Sequence, residues 1–442
     1  MRPLLPLPLA LLAAAPLAAP LAAPLAAQPV RKDAAPADPA RVVANAAVRR
    51  ALDSLRATNA WTLAQQTSVC EIPAPPFKEA ARGAEVKRRF ETLGLRNVRV
   101  DAEGNVIAER PGSGAAGTAA GPTVMFSAHL DTVFPEGTDV RVKRDSSAAT
   151  GVMLTAPGIG DDCRGLAVLL SVARAMDAAR VGTAGRVLFV ATVGEEGPGN
   201  LRGVRRLFGG PMRDSVDYFI SVDGDGLDVT SRAVGSARYK VAFVGPGGHS
   251  YGAFGMPNPA HAMGRAIARI ADFQVPNAPK ATFNVGIVSG GQTVNSIPAE
   301  VSMEVDLRSE SPQELARLDR LLHAAVDSAV AAEKARYPRS TVALAARWTE
   351  IGVRPAAAQT DSAPIVRTAL AAGRALGFTP RTTASSTDAN IAMSLGLPAI
   401  TIDGGGRGVG AHALSEHYED GDRGWLGPQW ALVIVTSLAG MR

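Results

Sequence analysis

Cysteine, lysine and aromatic residues are scarce in this chain of 442 residues. It contains two cysteines, seven lysines and 5% aromatic residues. Two cysteines do not make a disulfide framework, and we expect Cys70 and Cys163 to be free thiols. Basic residues outnumber acidic residues by five, and no block of five like charges occurs. The charge pattern therefore gives no indication of nucleic acid as a partner.

Long apolar runs are also absent after residue 27, so we expect no stable membrane span. Residues 1–27 start with Met1-Arg2 and continue as a Leu/Ala/Pro tract without further charge. A short positive start followed by an apolar tract is typical of a secretory signal. We therefore predict a signal peptide over residues 1–27, a flexible linker over residues 28–44, and a periplasmic or secreted location.

The rest of the chain has the composition of an ordinary globular protein, with 46% hydrophobic and 20% charged residues overall. Apolar runs typical of buried strands cover residues 123–126, 186–193 and 218–222. Residues 166–178 have helical periodicity between the first two of these runs. This alternation predicts an α/β catalytic domain with a mixed, mostly parallel sheet.

Residues 236–348 follow a different pattern. Strands are predicted at 238–244, 282–288, 300–308 and 341–345, and helices at 260–273 and 313–337. The order β-α-β-β-α-β is that of the ferredoxin-like fold. We therefore predict an inserted ferredoxin-like α+β lid or dimerisation domain. It splits the catalytic domain into residues 45–235 and residues 349–442.

Acidic residues and histidines follow the apolar runs of the catalytic domain. They are His129 and Asp131 after the first run, Glu195 and Glu196 after the second and Asp223 after the third, together with Asp161 and His412. Because ligands of an open parallel sheet lie beyond the carboxyl ends of its strands, we expect these side chains at one rim. Unpaired buried carboxylates cost several kcal/mol each, and a pair of divalent cations would remove that cost. Since His, Asp and Glu ligands suit zinc, the pattern predicts a two-metal hydrolase.

The order and spacing of these motifs, with a domain inserted before the last of them, resemble a known family. It is the di-zinc metallopeptidase family of peptidase T, glutamate carboxypeptidase, aminoacylase and acetylornithine deacetylase. The resemblance implies that His129, Asp161 and Asp223 bind one metal ion. It implies that Asp161, Glu196 and His412 bind the other, with Asp161 bridging. The implied cofactors are two Zn²⁺ per subunit, with Co²⁺ or Mn²⁺ as alternatives.

The same resemblance implies that Glu195 is the general base. Adjacent glutamates at a strand end point in different directions, so Glu196 can bind metal while Glu195 faces water. A glutamate beside two metal ions can take the proton of a water that the metals activate. Asp131 is implied to orient His129 by holding its second ring nitrogen. The peptide bond between Asp161 and Asp162 is expected to be cis, as in the family.

Two histidines compete for the last ligand position, and we favour His412 over His417 because it directly follows a glycine-rich loop. In the inserted domain, the resemblance implies that His249 reaches the active site of the partner subunit and helps to bind the reacting carbonyl oxygen. The candidate substrate-binding residues are Asn295, Arg308, Gly404, Gly405 and Gly406. An arginine fork suits a carboxylate, and glycine N–H groups suit an anionic substrate end.

The resulting prediction is a di-zinc exopeptidase that acts on short peptides and forms a homodimer through the inserted domain. Asp223 in place of a glutamate as the third acidic ligand favours an aminopeptidase similar to peptidase T. The alternative is an N-acyl amino acid deacylase or a carboxypeptidase, since these share the metal centre and differ mainly in contacts of the inserted domain. A non-catalytic binding protein on this fold is a further alternative. Such a protein would be expected to lack at least one ligand or the base, and none is missing here.

Overall fold

The computed structural model describes residues 35–113, 121–147 and 151–442. The predicted signal peptide lies outside these residues. The predicted linker is described only from residue 35, and there the structure differs from the prediction. Pro39–Ala44 forms a helix rather than a flexible segment, with Asp38 accepting a hydrogen bond from Ala40 N–H as its cap. Val42 of this helix is completely buried, which explains why the segment is ordered.

The described residues begin with four helices, after which strands and helices are mixed. The helices are α1 (Pro39–Ala44), α2 (Ala46–Ala57), α3 (Asn59–Cys70), α4 (Ala80–Thr92), α5 (Cys163–Ala178), α6 (Arg202–Phe208), α7 (Pro259–Ala271), α8 (Pro312–Ala335), α9 (Pro364–Ala375), α10 (Ala389–Ser394) and α11 (Leu426–Leu438). The strands are β1 (Arg96–Val100), β2 (Val106–Arg110), β3 (Val124–His129), β4 (Lys143–Ser147), β5 (Gly151–Thr155), β6 (Val187–Thr192), β7 (Tyr218–Val222), β8 (Val229–Ala233), β9 (Gly235–Val244), β10 (Gly248–His249), β11 (Ala281–Gly290), β12 (Ser296–Ile297), β13 (Glu300–Ser309), β14 (Ala345–Arg354), β15 (Ala357–Ala358), β16 (Thr382–Ser385), β17 (Ala399–Ile402), β18 (Arg407–Val409) and β19 (His417–Glu419).

A large mixed sheet forms the centre of the molecule. Its order is β1-β2-β6-β3-β7-β17-β8-β15, with β16 also paired to β8. The central strands β6, β3, β7 and β17 are parallel, whereas β1 and β2 add an antiparallel hairpin at one edge. Every residue of β3, β6 and β7 is buried, as expected for parallel strands covered by helices on both faces. The predicted mixed α/β sheet is confirmed, and its central strands are parallel.

Residues 235–354, here called the inserted domain, contain a second sheet with the order β11-β13-β9-β14. All its pairings are antiparallel, and α7 and α8 pack against one face, which is the ferredoxin-like arrangement. In β13, Val301, Met303, Val305 and Leu307 point alternately into a core shared with these helices.

The last strand of the inserted domain was predicted at 341–345, which is wrong. Strand β14 begins at Ala345 and continues to Arg354, beyond the predicted domain boundary at 348. Ala346 and Trp348 pack against the core of the inserted domain, and this alternation is the signal that identifies the strand. An irregularity in pairing between Glu350 and Gly352 interrupts the alternation, which made the end of the strand hard to predict.

A small antiparallel sheet of β18, β19, β5 and β4 was not predicted. It pairs β19 directly with β5, for example His417 with Thr155. This pairing brings the loop between β18 and β19, which contains His412, next to the segment between β5 and α5, which contains Asp161. The sheet therefore positions two candidate ligands that are far apart in sequence.

The two cysteines are joined in a disulfide, so the expectation of free thiols was wrong. Cys70 is the last residue of α3 and Cys163 is the first residue of α5, with their Cα atoms 5.4 Å apart. Both are buried in a small cluster that includes Leu154 and Tyr418 of the small sheet. Packing between α3 and α5 brings together residues that are 93 positions apart, and no local spacing indicates this.

In the described part of the chain, none of the helices combines the length and apolarity that a bilayer crossing requires.

Candidate metal centre

Three central strands deliver side chains to one edge of the large sheet. β3 ends at His129, β6 is followed by Glu195 and Glu196, and β7 is followed by Asp223. Since β6, β3 and β7 are adjacent and parallel, their carboxyl ends meet at the same rim. Gly194 adopts a φ of 65° between β6 and the two glutamates, a conformation that suits glycine.

Asp161 lies between two histidines. One of its carboxylate oxygens is 2.9 Å from His129 Nε2, and the other is 3.0 Å from His412 Nε2. The Asp161–Asp162 peptide bond is cis, as predicted. Asp162 caps α5 by accepting a hydrogen bond from Gly165 N–H at 2.9 Å, and its other oxygen accepts one from His129 N–H at 2.9 Å. The two acids therefore have different surroundings, one facing the histidine rings and one fixed to backbone.

Two groups of possible metal ligands share Asp161. His129, Asp161 and Asp223 form one group, and Asp161, Glu196 and His412 form the other. Within each group one ligand atom per residue lies within 4.8 Å of the others, and Glu196 is 2.9 Å from His412 Nε2. A third group lies within the same 4.8 Å limit between ligand atoms, and it consists of His129, Glu195 and Glu196. Imidazole nitrogens and carboxylate oxygens are the ligands that zinc accepts, so the residues present fit a two-metal site.

Burial dominates the electrostatics of the acids. It raises the pKa of Glu195 to about 8, although the guanidinium of Arg354 opposes this shift. Burial also raises the pKa of Glu196. Together with the nearby Asp161 carboxylate, it holds the pKa of Asp223 well above the ordinary value. The cluster therefore concentrates carboxylates that bound cations would stabilise in their charged form.

The histidines interact strongly with the same acids. Hydrogen bonds to Asp161 and Glu196 raise the pKa of His412 to about 10. Burial alone would raise the pKa of Asp161, but hydrogen bonds from His129 and His412 outweigh it and lower that pKa. The same acids favour the protonated form of both rings, since they raise the pKa of His129 as well as that of His412. Metal binding would have to displace those protons.

Asp131 contacts His129 in a way that the sequence did not predict. Its backbone carbonyl accepts a hydrogen bond from His129 Nδ1 at 3.0 Å, whereas its nearer carboxylate oxygen is 3.7 Å from that nitrogen. The carboxylate instead accepts hydrogen bonds from the backbone N–H groups of Glu195, at 3.0 Å, and Glu196, at 2.8 Å. Asp131 therefore fixes both the ring of His129 and the backbone of the two glutamates.

The family model described as "Peptidase family M20/M25/M40" matches residues 125–423, which contain all these residues. The chain belongs to this family. As a member of peptidase family M20/M25/M40, it is a metal-dependent peptidase or amidohydrolase.

This M20/M25/M40 peptidase is similar to several distant relatives. It is 25% identical over 352 residues to the uncharacterized protein YqjE of Bacillus subtilis (strain 168), covering 75% of this chain and 86% of YqjE. The crystal structure of aminopeptidase PepT from Bacillus cereus ATCC 10987 matches with a TM-score of 0.67 at 18% identity, over 89% of this chain and 98% of PepT. A tripeptidase from Staphylococcus aureus subsp. aureus mu50 matches with a TM-score of 0.69 at 19% identity, over 86% and 97% of the respective chains. The two structural matches show that the fold is shared.

Two buried residues that the sequence did not single out support the metal centre of this M20/M25/M40 peptidase. Glu416 accepts hydrogen bonds from the N–H groups of Gly158, Gly160 and Asp161 at 2.9, 2.8 and 3.0 Å. Arg82 is completely buried and donates to the carbonyls of Ile72, Leu130 and Cys70 at 2.9, 2.8 and 3.2 Å. Glu416 acts on backbone that is far away in sequence, and Arg82 connects Leu130 to the end of α3, so no local pattern could have identified either residue.

The predicted anion-binding role of Gly404 and Gly405 does not agree with the structure. Their N–H groups already donate to the carbonyls of Gly224 and Gly226, each at 2.9 Å. Gly406 has a φ of 77° and lies against the ring of Tyr418, so its conformation and close packing account for a glycine there. The glycine-rich stretch packs against neighbouring backbone, and no substrate is needed to explain it.

Within the described residues, none of the three residues predicted in the inserted domain belongs to a possible ligand group. Asn295 is in an exposed loop and accepts a hydrogen bond from the Thr293 hydroxyl at 2.9 Å. Arg308 is partly exposed and pairs with Asp306 at 2.7 Å. His249 is exposed in a two-stranded antiparallel sheet of β10 and β12, where Ser296 is its pairing partner. Among the two competing histidines, His417 lies 3.8 Å from Glu419, and only His412 belongs to a ligand group in the described residues.

Proposed function

We propose that this chain is a di-zinc exopeptidase that removes the N-terminal residue from short peptides. The observation that supports this most directly is the pair of ligand groups sharing Asp161, with Glu195 beside them and outside both. Aspartate at position 223 favours the aminopeptidase branch. The fold shared with the aminopeptidase PepT and with a tripeptidase supports the same branch.

In this proposal the residues of the chain divide the work. Bound zinc would polarise the scissile carbonyl and lower the pKa of the attacking water. The two ions would be held by five residues, which are His129, Asp161, Glu196, Asp223 and His412. Glu195 takes the proton of the attacking water and then passes it to the leaving nitrogen. Glu195 is 4% exposed, and the exclusion of bulk solvent suits proton transfer between this residue and the attacking water.

Substrate binding is proposed for Arg308 and Asn295. A guanidinium fork at Arg308 suits the carboxylate at the end of a short peptide. The same contact suits the carboxylate of an N-acyl amino acid. A deacylase or a carboxypeptidase is therefore the second candidate, distinguished by which bond is cut.

We propose in addition that the protein is exported and acts as a homodimer. The disulfide between Cys70 and Cys163 supports an oxidising compartment, such as the periplasm or the extracellular space. Strand β11 forms an edge of the inserted domain and exposes Ile287 and Val288, which supports pairing with a second copy. A two-fold dimer through this edge would be the commonest form of assembly.

The test is digestion of a mixed library of short peptides and N-acyl amino acids by zinc-loaded protein, with products identified by mass spectrometry. We expect loss of single N-terminal residues from peptides, and no products with the Glu195→Gln variant. Removal of C-terminal residues or of acyl groups would instead identify the second candidate. No hydrolysis of any compound, with two zinc ions bound, would refute a catalytic function on these substrates.

A further inference from the structure

Arg354 connects the inserted domain to Glu195. It is the last residue of β14 and is only 4% exposed. Its Nη1 donates to Glu195 Oε1 at 3.0 Å and to the Ser386 hydroxyl at 3.1 Å. Its Nη2 donates to the backbone carbonyl of Glu195. One guanidinium therefore holds both the side chain and the main chain of this glutamate.

Glu195 is fixed from the opposite side as well. Its N–H donates to Asp131, whose other carboxylate oxygen accepts from Glu196 N–H. The side chain of Glu196 turns to His412, whereas the side chain of Glu195 turns to Arg354. The side chains of the two adjacent glutamates therefore have different partners. Glu196 contacts a histidine of the candidate metal centre, and Glu195 contacts an arginine of the inserted domain.

We infer that Arg354 is a positioning residue that fixes the proposed base Glu195 toward the attacking water, and this inference rests on the proposed function. A guanidinium is suited to the task, because its planar fork reaches two acceptors in a fixed relative geometry. An ammonium would supply the charge without that fork. The inserted domain consequently contributes to catalysis through the end of β14 as well as through its proposed substrate contacts.

A role confined to fold stability explains Arg354 less well. Taking both charges of a buried ion pair out of water costs free energy that their attraction only partly returns. Arg354 Nε moreover has no hydrogen-bond partner within the residues described here. Buried polar atoms without a partner are uncommon in native structures, and a catalytic role is one explanation for them. The two nitrogens that do have partners are those that face Glu195.

The end of β14 is itself anchored beside the glutamates. Val353 N–H donates to the Asn200 side chain at 3.1 Å, and its carbonyl accepts from Arg205. Arg205 holds the same strand end without a hydrogen bond to Glu195 among the described contacts. It is therefore a matched control, since its removal loosens the anchor and leaves the contacts of the base in place.

The experiment compares Arg354→Ala, Arg354→Lys and Arg205→Ala with wild type, on a substrate found in the library digest. We expect Arg354→Ala to lower kcat about 100-fold, the cost of slight misplacement of a reacting group. KM and bound zinc should change little, whereas Tm should fall, because the Glu195 carboxylate loses its buried partner. Arg354→Lys should recover part of the loss, and added guanidinium chloride at non-denaturing concentration should partly restore Arg354→Ala but not Glu195→Gln. If Arg354→Ala does not fold, the comparison of kcat between Arg354→Lys and wild type tests the inference instead.

Native kcat in the Arg354 variants would overturn the inference. So would a fall in Tm and zinc content that Arg205→Ala reproduces, or a failure of guanidinium to restore a folded Arg354→Ala protein. These outcomes are separate from failure of the proposed function, which would show as an inactive zinc-loaded wild type.

Discussion

Glu416 and Asp161 are joined by a hydrogen bond of 3.0 Å from the Asp161 N–H to the Glu416 carboxylate. The same carboxylate also accepts from Gly158 and Gly160 N–H, so it holds the whole turn before the ligand. Glu416 itself follows His412 by one short loop. A single buried acid therefore sets the separation of two candidate ligands that lie on different segments of the chain.

We predict that Glu416→Gln weakens zinc binding by about 10- to 100-fold, the usual effect of removing a group that orients ligands. A neutral amide has one acceptor oxygen, and its NH₂ group would face backbone N–H donors. Isothermal titration calorimetry on the metal-free protein measures the effect. Glu419→Gln is the control, since Glu419 pairs with exposed Arg407 and should leave the Kd unchanged. Equal Kd values for both variants and wild type would contradict the prediction.

The two adjacent glutamates should give opposite phenotypes. Glu195→Gln should abolish turnover and keep zinc content near the wild-type value, because Arg354 and Asp131 hold the residue without any metal. Glu196→Gln should lower zinc content, since its carboxylate belongs to a ligand group with His412. Metal analysis of dialysed proteins together with steady-state kinetics separates the two. Equal metal loss in both variants would show that this division of roles is wrong.

Zinc affinity should rise with pH. His412, whose pKa is raised to about 10, holds its proton at neutral pH and must release it to bind a metal ion. For one proton released, the apparent affinity should increase about 100-fold between pH 6 and pH 8. Calorimetry in two buffers with different ionisation enthalpies counts the protons. His417→Asn should keep this dependence, and a Kd that does not vary with pH would contradict it.

The core of the site could be predicted from sequence because local patterns determine it. Runs of buried residues such as those of β3 and β7 identify parallel central strands, and a polar residue directly after such a run must lie at the rim. His129 and Asp223 follow from this argument alone. The family resemblance then supplied the pairing of ligands and the cis bond at Asp161.

The supporting contacts could not be predicted, because they depend on partners distant in sequence. The small sheet that brings His412 to Asp161 uses short strands such as β4, whose residues are all exposed and show no apolar alternation. Arg354 lies past an irregular strand pairing, and nothing in its neighbourhood points to Glu195. The glycine-rich stretch was misassigned for the same reason. Glycines occur where backbone segments pack closely together, and they also occur at anion-binding sites. The glycine pattern alone therefore does not distinguish the two.

The disulfide should stabilise the protein substantially. Replacing Cys70 and Cys163 by serine should lower the free energy of unfolding by ~2–5 kcal/mol, because the bond closes a long loop of the unfolded chain. Thermal unfolding with and without dithiothreitol measures this. The wild-type Tm should fall in the reductant, and the double serine variant should show no such response. Thiols that react in the native oxidised protein would argue against the bond.

His249 should act across the proposed dimer interface. The backbone N–H groups of Tyr251 and Gly252 both point to His249 Nδ1 at 3.3 Å. Because an N–H group can only donate, Nδ1 must accept, and a neutral ring then carries its proton on Nε2. An exposed Nε2–H is suited to donate a hydrogen bond to the oxyanion formed when water attacks the carbonyl. Losing one such donor typically lowers turnover about 100-fold or more.

Complementation tests whether that donor serves the partner's site. His249→Ala and Glu195→Gln should each be nearly inactive alone. After subunit exchange, a mixed dimer contains one site with neither residue and one site with both, because Glu195 comes from one subunit and His249 from the other. Each mixed dimer should therefore recover about half of the native activity, by counting sites in a two-fold dimer. If exchange is verified by mass labelling and no activity returns, His249 acts within its own subunit or outside catalysis altogether.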